Sequence, residues 1–196
     1  MSDNLLEQAR NEINQFRSIL ESFPDRCLEN VIEMARVAAE AIGKGNIVFT
    51  CGNGGSAADA QHIAGELVGR FRRKKIHGYK AIALTTNSSV VTALANDFSY
   101  EEIFSKQLES MGERGDILLS LSTSGNSPNT VRAAEQAGKI GMTTLAFVGR
   151  ENGLLGDISD YVLNVSHHDF ARIQETHMLI GHIFCGLVEE IVVSGS

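Results

Sequence analysis

Five short apolar runs punctuate the chain from residue 47 onward, and longer mixed segments separate them. They are IVFT from Ile47, AIAL from Ala81, DILLSLS from Asp116, TTLAFVG from Thr143 and YVLNV from Tyr161. This rhythm constrains the fold more than any other feature. A run that is apolar throughout, not at every second position, has to be covered on both faces. Parallel strands need a crossover long enough to hold a helix, and segments of that length stand between most of these runs. The expectation is an α/β fold with a parallel sheet between two layers of helices. Two helices precede the first run. Leu5, Leu6, Ala9, Ile13, Phe16, Ile19 and Leu20 recur at helical spacing from Asn4 to Leu20, and Ser22-Phe23-Pro24-Asp25 breaks the pattern. A second helix runs from Cys27 to Ile42 and stops at Gly43 and Gly45. A helix spans Ser127 to Ile140, and a long one closes the chain from about Phe170 to Val193. With 196 residues, no repeat and no linker, residues 1–196 read as one domain, in which 1–45 form a leading helical pair.

Charge and cysteine usage narrow the partners. A formal net charge of −7 argues against a nucleic-acid backbone as partner. The one dense basic run, Arg70, Arg72, Arg73, Lys74 and Lys75, reads as a solvated helix end with cations near its negative pole. Cys27, Cys51 and Cys185 are odd in number and far apart, as expected of reduced thiols in a cytoplasmic protein. MSDNLLEQAR has no basic segment leading into an apolar one, so no signal peptide is expected. The stretch MLIGHIFCGLV is too short and too polar to suggest a membrane span.

Sheets of this kind bind ligands beyond the carboxyl ends of their strands, which directs attention to CGNGGS, TTNSS and STSGNS. In CGNGGS the glycines leave backbone N–H groups unobstructed, and Ser56 is expected to cap the following helix, whose first turn attracts anions. Gly52, Gly54 and Ala57 match a dinucleotide fingerprint. No acidic residue follows the second strand to hold a ribose, however, and no Gly-Lys-Ser/Thr is present. A tight turn without a ligand is the bland alternative. STSGNSP is more specific: Ser122, Thr123, Ser124 and Ser127 supply four hydroxyls within six residues, with Ser127 as N-cap and Pro128 at the first helical position. Hydroxyls gathered at a helix N-terminus suit a phosphate monoester, although a serine-rich cap alone would read the same way. Neither loop holds a lysine or arginine, so the expected ligand carries a single phosphate held by hydroxyls and amides.

His62 and Glu66 stand at i and i+4 on one helix face, where both could address one metal ion or one substrate. Such pairs are also common on solvated faces. In the last helix His182 lies within an apolar stretch, where a bonded core histidine is the usual outcome. Gln174 and His182 are eight residues apart, about 12 Å of rise, and spacing alone does not pair them.

GNGGSAADAQHIAGEL, Asn96-Asp97-Phe98, STSGNSPN and RIQETHMLIGH, in that order, resemble the phosphoheptose isomerase family over nearly the whole chain. The resemblance implies a three-layer sandwich with a five-stranded parallel sheet, the flavodoxin-like sugar isomerase domain, assembled as a homotetramer. It also implies an enzyme converting sedoheptulose 7-phosphate to D-glycero-D-manno-heptose 7-phosphate in nucleotide-activated heptose biosynthesis for lipopolysaccharide or another surface glycan. The implied metal is zinc, one per subunit, on His62, Glu66, Gln174 and His182. The implied substrate contacts are Asn53, Gly54, Gly55, Ser56, Glu66, Asn96, Asp97, Ser122, Thr123, Ser124, Ser127 and Gln174. Ala171 departs from members with an acidic residue there. Glu66 is expected to act as base and His182 as its partner acid/base. The alternative is a non-catalytic sugar-phosphate regulator resembling the DnaA-binding replication-initiation protein. That relative lacks counterparts of Glu66 and His182, both of which this chain keeps. A sugar-phosphate sensing module is disfavoured, because no DNA-binding segment is attached. The leading helices and the last helix carry apolar surface with no evident partner in one domain. They are therefore expected at subunit interfaces, an arrangement in which His62 and Glu66 could face Gln174 and His182 across a subunit boundary or at a junction of several chains.

Overall fold

The fold is described from a computed structural model covering residues 2–69, 71–72 and 78–194. In chain order the elements are α1 (Ser2–Glu21), α2 (Asp25–Gly43), β1 (Val48–Gly52), α3 (Gly55–Val68), β2 (Ala81–Ala83) and α4 (Ser88–Asp97). A 3₁₀ turn (Tyr100–Glu102) and α5 (Ser105–Met111) follow. The rest are β3 (Ile117–Ser122), α6 (Pro128–Ile140), β4 (Thr143–Val148), α7 (Gly153–Ile158), β5 (Tyr161–Asn164) and α8 (Phe170–Ser194). Each apolar run of the sequence is a strand, and all strands pair in parallel in the order β2-β1-β3-β4-β5.

Alternate residues of β1, β3 and β4 enter different cores, which is why these runs lack the apolar–polar alternation of a strand with one wet face. Val48, Ile117, Leu119, Leu121, Leu145 and Phe147 join α2, α3 and α8 on one face. Phe49, Cys51, Leu118, Ala146 and Val148 join residues of α5, α6 and α7 on the other. Full burial of a phenylalanine such as Phe49 or Phe147 contributes about 2–3 kcal/mol, so the central strands are the most strongly held part of the molecule. Cys27, Cys51 and Cys185 are buried free thiols.

Two expectations change. Of the leading pair, α2 is not left uncovered: Cys27, Val31, Met34, Ala35, Ala38, Ala39 and Ala41 are buried against α8 and β5. The bare apolar face belongs to α1, where Leu5, Leu6, Ile13 and Leu20 are exposed. The main tie from α1 to the body is polar: Arg172 donates to the Glu12 carbonyl and carboxylate, each at 2.8 Å. The last helix also differs. Taken whole, α8 has 25 residues and a mean hydropathy of 1.4 over its most apolar window, so its length and composition suffice to cross a bilayer. Here it is the spine of one layer, packed between α2 and α3.

The strand order places the site. The chain leaves β1 outward to β2, then returns past β1 to β3, so connections diverge in opposite directions above β1 and β3. That divergence opens a crevice at their carboxyl ends. Gly52 pairs with Leu121, so CGNGGS and STSGNS leave the sheet side by side.

Candidate active site

The first loop turns on Gly54, the N-cap of α3, at φ 55°. Only glycine takes that region without strain. Gly54 therefore occupies the place expected of Ser56, which is instead buried in the first helical turn. Gly52 permits the close return of the chain: a Cβ there would lie 2.6 Å from the Ser56 carbonyl oxygen. The first-turn amides at Gly55 and Ser56 remain directed toward the crevice end of the helix.

The second loop matches its expectation more closely. Ser127 is the N-cap of α6 and Pro128 its first residue. The Ser127 hydroxyl does not cap the helix, however. It lies 3.1 Å from the Ser122 hydroxyl, and Ser124 Oγ lies 3.4 Å from Ser122 Oγ, so three hydroxyls converge. Gly125, at φ 66°, lets the loop turn against Asn152 and Gly153. The Asn126 amide and the Leu155 N–H bond hold it there. Thr123 packs its carbonyl against Gly149. Asn96 and Asp97 sit on the exposed last turn of α4, where the Asn96 amide donates to Asp97 Oδ1 at 2.8 Å.

The titratable residues meet farther down α3. His62 Nε2 lies 2.9 Å from His182 Nε2 and 3.2 Å from Glu66 Oε1. Donor atoms of His62, Glu66 and His182 all fall within 4.8 Å of one another. Helices α3 and α8 run side by side, and two glycines permit the approach. A Cβ on Gly55 would lie 2.6 Å from the Gln174 amide, and one on Gly181 would lie 2.9 Å from Ile63 Cδ1. Phe71 stacks on the His182 ring at 5.7 Å and 16°. Of the basic run, only Arg72 is among the described residues; its backbone N–H donates to Glu189.

These contacts revise the expected division between subunits. His62, Glu66 and His182 come together within one chain. Gln174 does not join them in that chain: it lies over Gly55, two helical turns away, beside the anion loop. Two imidazoles and a carboxylate converging in this way suit a borderline cation such as zinc. The donor set therefore fits the ion that the resemblance implies.

Three nearby residues have no counterpart in the sequence expectations. Asn129 and Tyr100 both bond Asn53. Asp59, on α3 between Gly55 and His62, has its carboxyl pushed up to about 6 by burial, partly countered by His62. Asp59 stood in the quoted motif three residues before His62, a spacing that signals a shared face. Nothing in the sequence signalled Tyr100.

The SIS domain family matches residues 13–149. A phosphoheptose isomerase from Aquifex aeolicus is 42% identical over 192 residues, covering 98% of this chain and 100% of the relative. One from Nitratidesulfovibrio vulgaris is 44% identical over 172 residues, covering 88% of this chain and 82% of the relative. The chain belongs to the phosphoheptose isomerases. The structure of the Neisseria gonorrhoeae phosphoheptose isomerase superposes with a TM-score of 0.89 at 34% identity, covering 95% of this chain and 99% of that one. As a phosphoheptose isomerase the chain is an enzyme, and its three-layer fold is the one that family uses. The alternative reading as a non-catalytic regulator is set aside by the same finding.

Proposed function

We propose that the chain interconverts sedoheptulose 7-phosphate and D-glycero-D-manno-heptose 7-phosphate as a cytoplasmic, zinc-dependent homotetramer, in the first step of nucleotide-activated heptose biosynthesis. The observation that carries this reading is the shared helix α3. Its N-terminus belongs to the anion loop, and its second and third turns carry His62 and Glu66 against His182. One rigid element thus spans from a phosphate site to an acid/base site, as an extended sugar phosphate requires.

In this reading the phosphate is held by the hydroxyls of Ser122, Ser124 and Ser127, by Thr123 and by the amides at Gly54, Gly55 and Ser56. Asn53, Asn96, Asp97 and Gln174 contact the sugar. Glu66 takes a proton from C1 while His182 delivers one to the C2 oxygen, giving the enediol. Return of a proton to C2 and loss of the proton on the C1 oxygen yield the aldose. His62 holds the Glu66 carboxylate by its 3.2 Å contact. Zinc would be held by His62, Glu66 and His182 of one chain, and Gln174, the fourth residue of the expected set, could complete it only from another copy. Once bound, it would polarise the carbonyl and hydroxyl oxygens.

The test is direct. The zinc-loaded protein is incubated with sedoheptulose 7-phosphate and followed by NMR for the aldoheptose 7-phosphate. No conversion under those conditions would overturn the reading.

A further inference from the structure

Three ligand loops close on one amide group. Asn53 Oδ1 accepts the Tyr100 hydroxyl at 3.0 Å and Asn129 Nδ2 at 2.8 Å, and Asn53 Nδ2 donates to Asn129 Oδ1 at 2.8 Å. Asn53 belongs to the loop after β1. Asn129 is the second residue of α6, directly behind the serine loop. Tyr100 opens the 3₁₀ turn that follows Asn96 and Asp97. Asn129 is only 2% exposed, so its amide has little water to replace a lost partner. One turn further along α6, Arg132 pairs with Glu101 and Glu102 and anchors the same 3₁₀ turn.

The bonds also count out what Asn53 can still do. A side-chain amide offers two lone pairs and two N–H groups. Both lone pairs of Oδ1 and one N–H of Nδ2 are engaged, which leaves a single N–H donor. Asn53 can therefore meet a ligand oxygen only by donating, along a direction fixed by its two partners. We propose that Asn129 and Tyr100 are positioning residues for the sugar phosphate. They set the separation between the glycine loop and the serine loop, and they aim the free N–H of Asn53 at a ligand oxygen. This rests on the reading of those loops as the sugar-phosphate site.

Two variants test it in the full-length, zinc-loaded protein. Tyr100→Phe removes one hydroxyl from an exposed ring. Asn129→Asp keeps the shape but sets a carboxylate oxygen against Asn53 Oδ1. Loss of a hydrogen bond corresponds to roughly three- to tenfold in an equilibrium. KM for sedoheptulose 7-phosphate should rise about that much in Tyr100→Phe, and at least about tenfold in Asn129→Asp at neutral pH, with the larger part of each effect on KM and not on kcat. As pH is lowered, the new carboxyl takes up a proton and can donate again. The KM ratio of Asn129→Asp to wild type should then shrink toward one, a signature that loosened packing would not give. Wild-type KM in both variants at every pH, or a loss confined to kcat, would overturn the proposal. Should Asn129→Asp not fold, Tyr100→Phe decides alone. Should the wild-type chain fail to convert the sugar, the functional reading falls. The positioning role is then judged by calorimetric affinity for inorganic phosphate, which both variants should weaken and which, if unchanged, would overturn it.

Discussion

Glu66 faces two imidazoles, and this setting makes it the residue whose loss should be felt most. Glu66→Gln keeps shape and hydrogen-bonding capacity but removes the base, so turnover should fall by roughly 10²-fold or more with little loss of phosphate binding. Steady-state kinetics beside a phosphate titration would separate the two, and near-wild-type turnover would exclude the role. At the other end of the ligand, Ser124→Ala combined with Ser127→Ala removes two of three converging hydroxyls. Sugar-phosphate affinity should weaken by about 1–3 kcal/mol by calorimetry; unchanged affinity would reduce the loop to a helix cap. His177 illustrates a different use of burial. Its ring N–H donates to the Val148 carbonyl at 3.1 Å, and burial pushes its pKa down to about 4. The folded chain refuses a proton that the unfolded chain accepts below about pH 6.5, so this residue's stabilising effect is complete above that pH. It is lost progressively down to about pH 4, by about 3 kcal/mol at full extent. Asp59 acts oppositely, since its raised pKa lets the folded chain keep a proton that the unfolded chain releases between about pH 4 and about pH 6. His177→Gln should therefore flatten the fall in thermal midpoint between about pH 6.5 and about pH 4, with Asp59 common to both proteins. An unaltered pH profile in that variant would contradict the assignment.

At the scale of elements, the contact between α3 and α8 decides whether a metal site exists. Gly181 is one of the two glycines at which these helices meet closely. In Gly181→Val, new methyl groups must displace Ile63, whose Cδ1 already lies 2.9 Å from the position of an added Cβ. Overpacking of this kind costs about 1–3 kcal/mol, and it should also draw His182 away from His62. Zinc affinity by chelator competition should fall more than tenfold while the fold persists by circular dichroism; undiminished affinity would show that the two helices do not set the site. The same contact explains what the sequence could and could not reveal. The five strands were legible as short, mainly apolar runs, because the central ones are buried on both faces, where even the polar Thr50 and Ser120 are buried. Helices α1, α2, α6 and α8 were legible from period and caps. Helices α4, α5 and α7 were not: they are short, and α4 buries no residue fully, so no apolar stripe betrays it. His62 with Glu66 could be read from i, i+4 spacing. The meeting of His62 with His182, 120 positions apart, depends on the register of two helices that only tertiary packing sets. The displacement of Ser56 from the cap accompanies a close backbone approach at Gly52 that spacing does not encode.

For the whole molecule, the distribution of apolar surface argues for assembly. The body covers the central strands of its sheet, with α2, α3 and α8 on one side and the shorter helices on the other, yet α1 projects Leu5, Leu6 and Ile13 into solvent, each more than half exposed. An unpartnered face of this kind usually marks an interface, and closed symmetry gives such a face an identical partner. The proposed tetramer of the 21.2 kDa chain would have a mass near 85 kDa. Because His62, Glu66 and His182 gather within one chain, dissociation need not destroy the metal site. What a dissociated chain would lose is whatever partner copies add beside α1 and α8. The expected outcome is specific: Leu6→Glu with Ile13→Glu should convert the tetramer to smaller species by light scattering and lower turnover, yet leave zinc stoichiometry near one per chain. A wild-type protein that scatters as a fully active monomer would refute the assembly. A dissociated variant that no longer binds zinc would instead move part of the donor set back across a subunit boundary, with Gln174 the first residue to suspect.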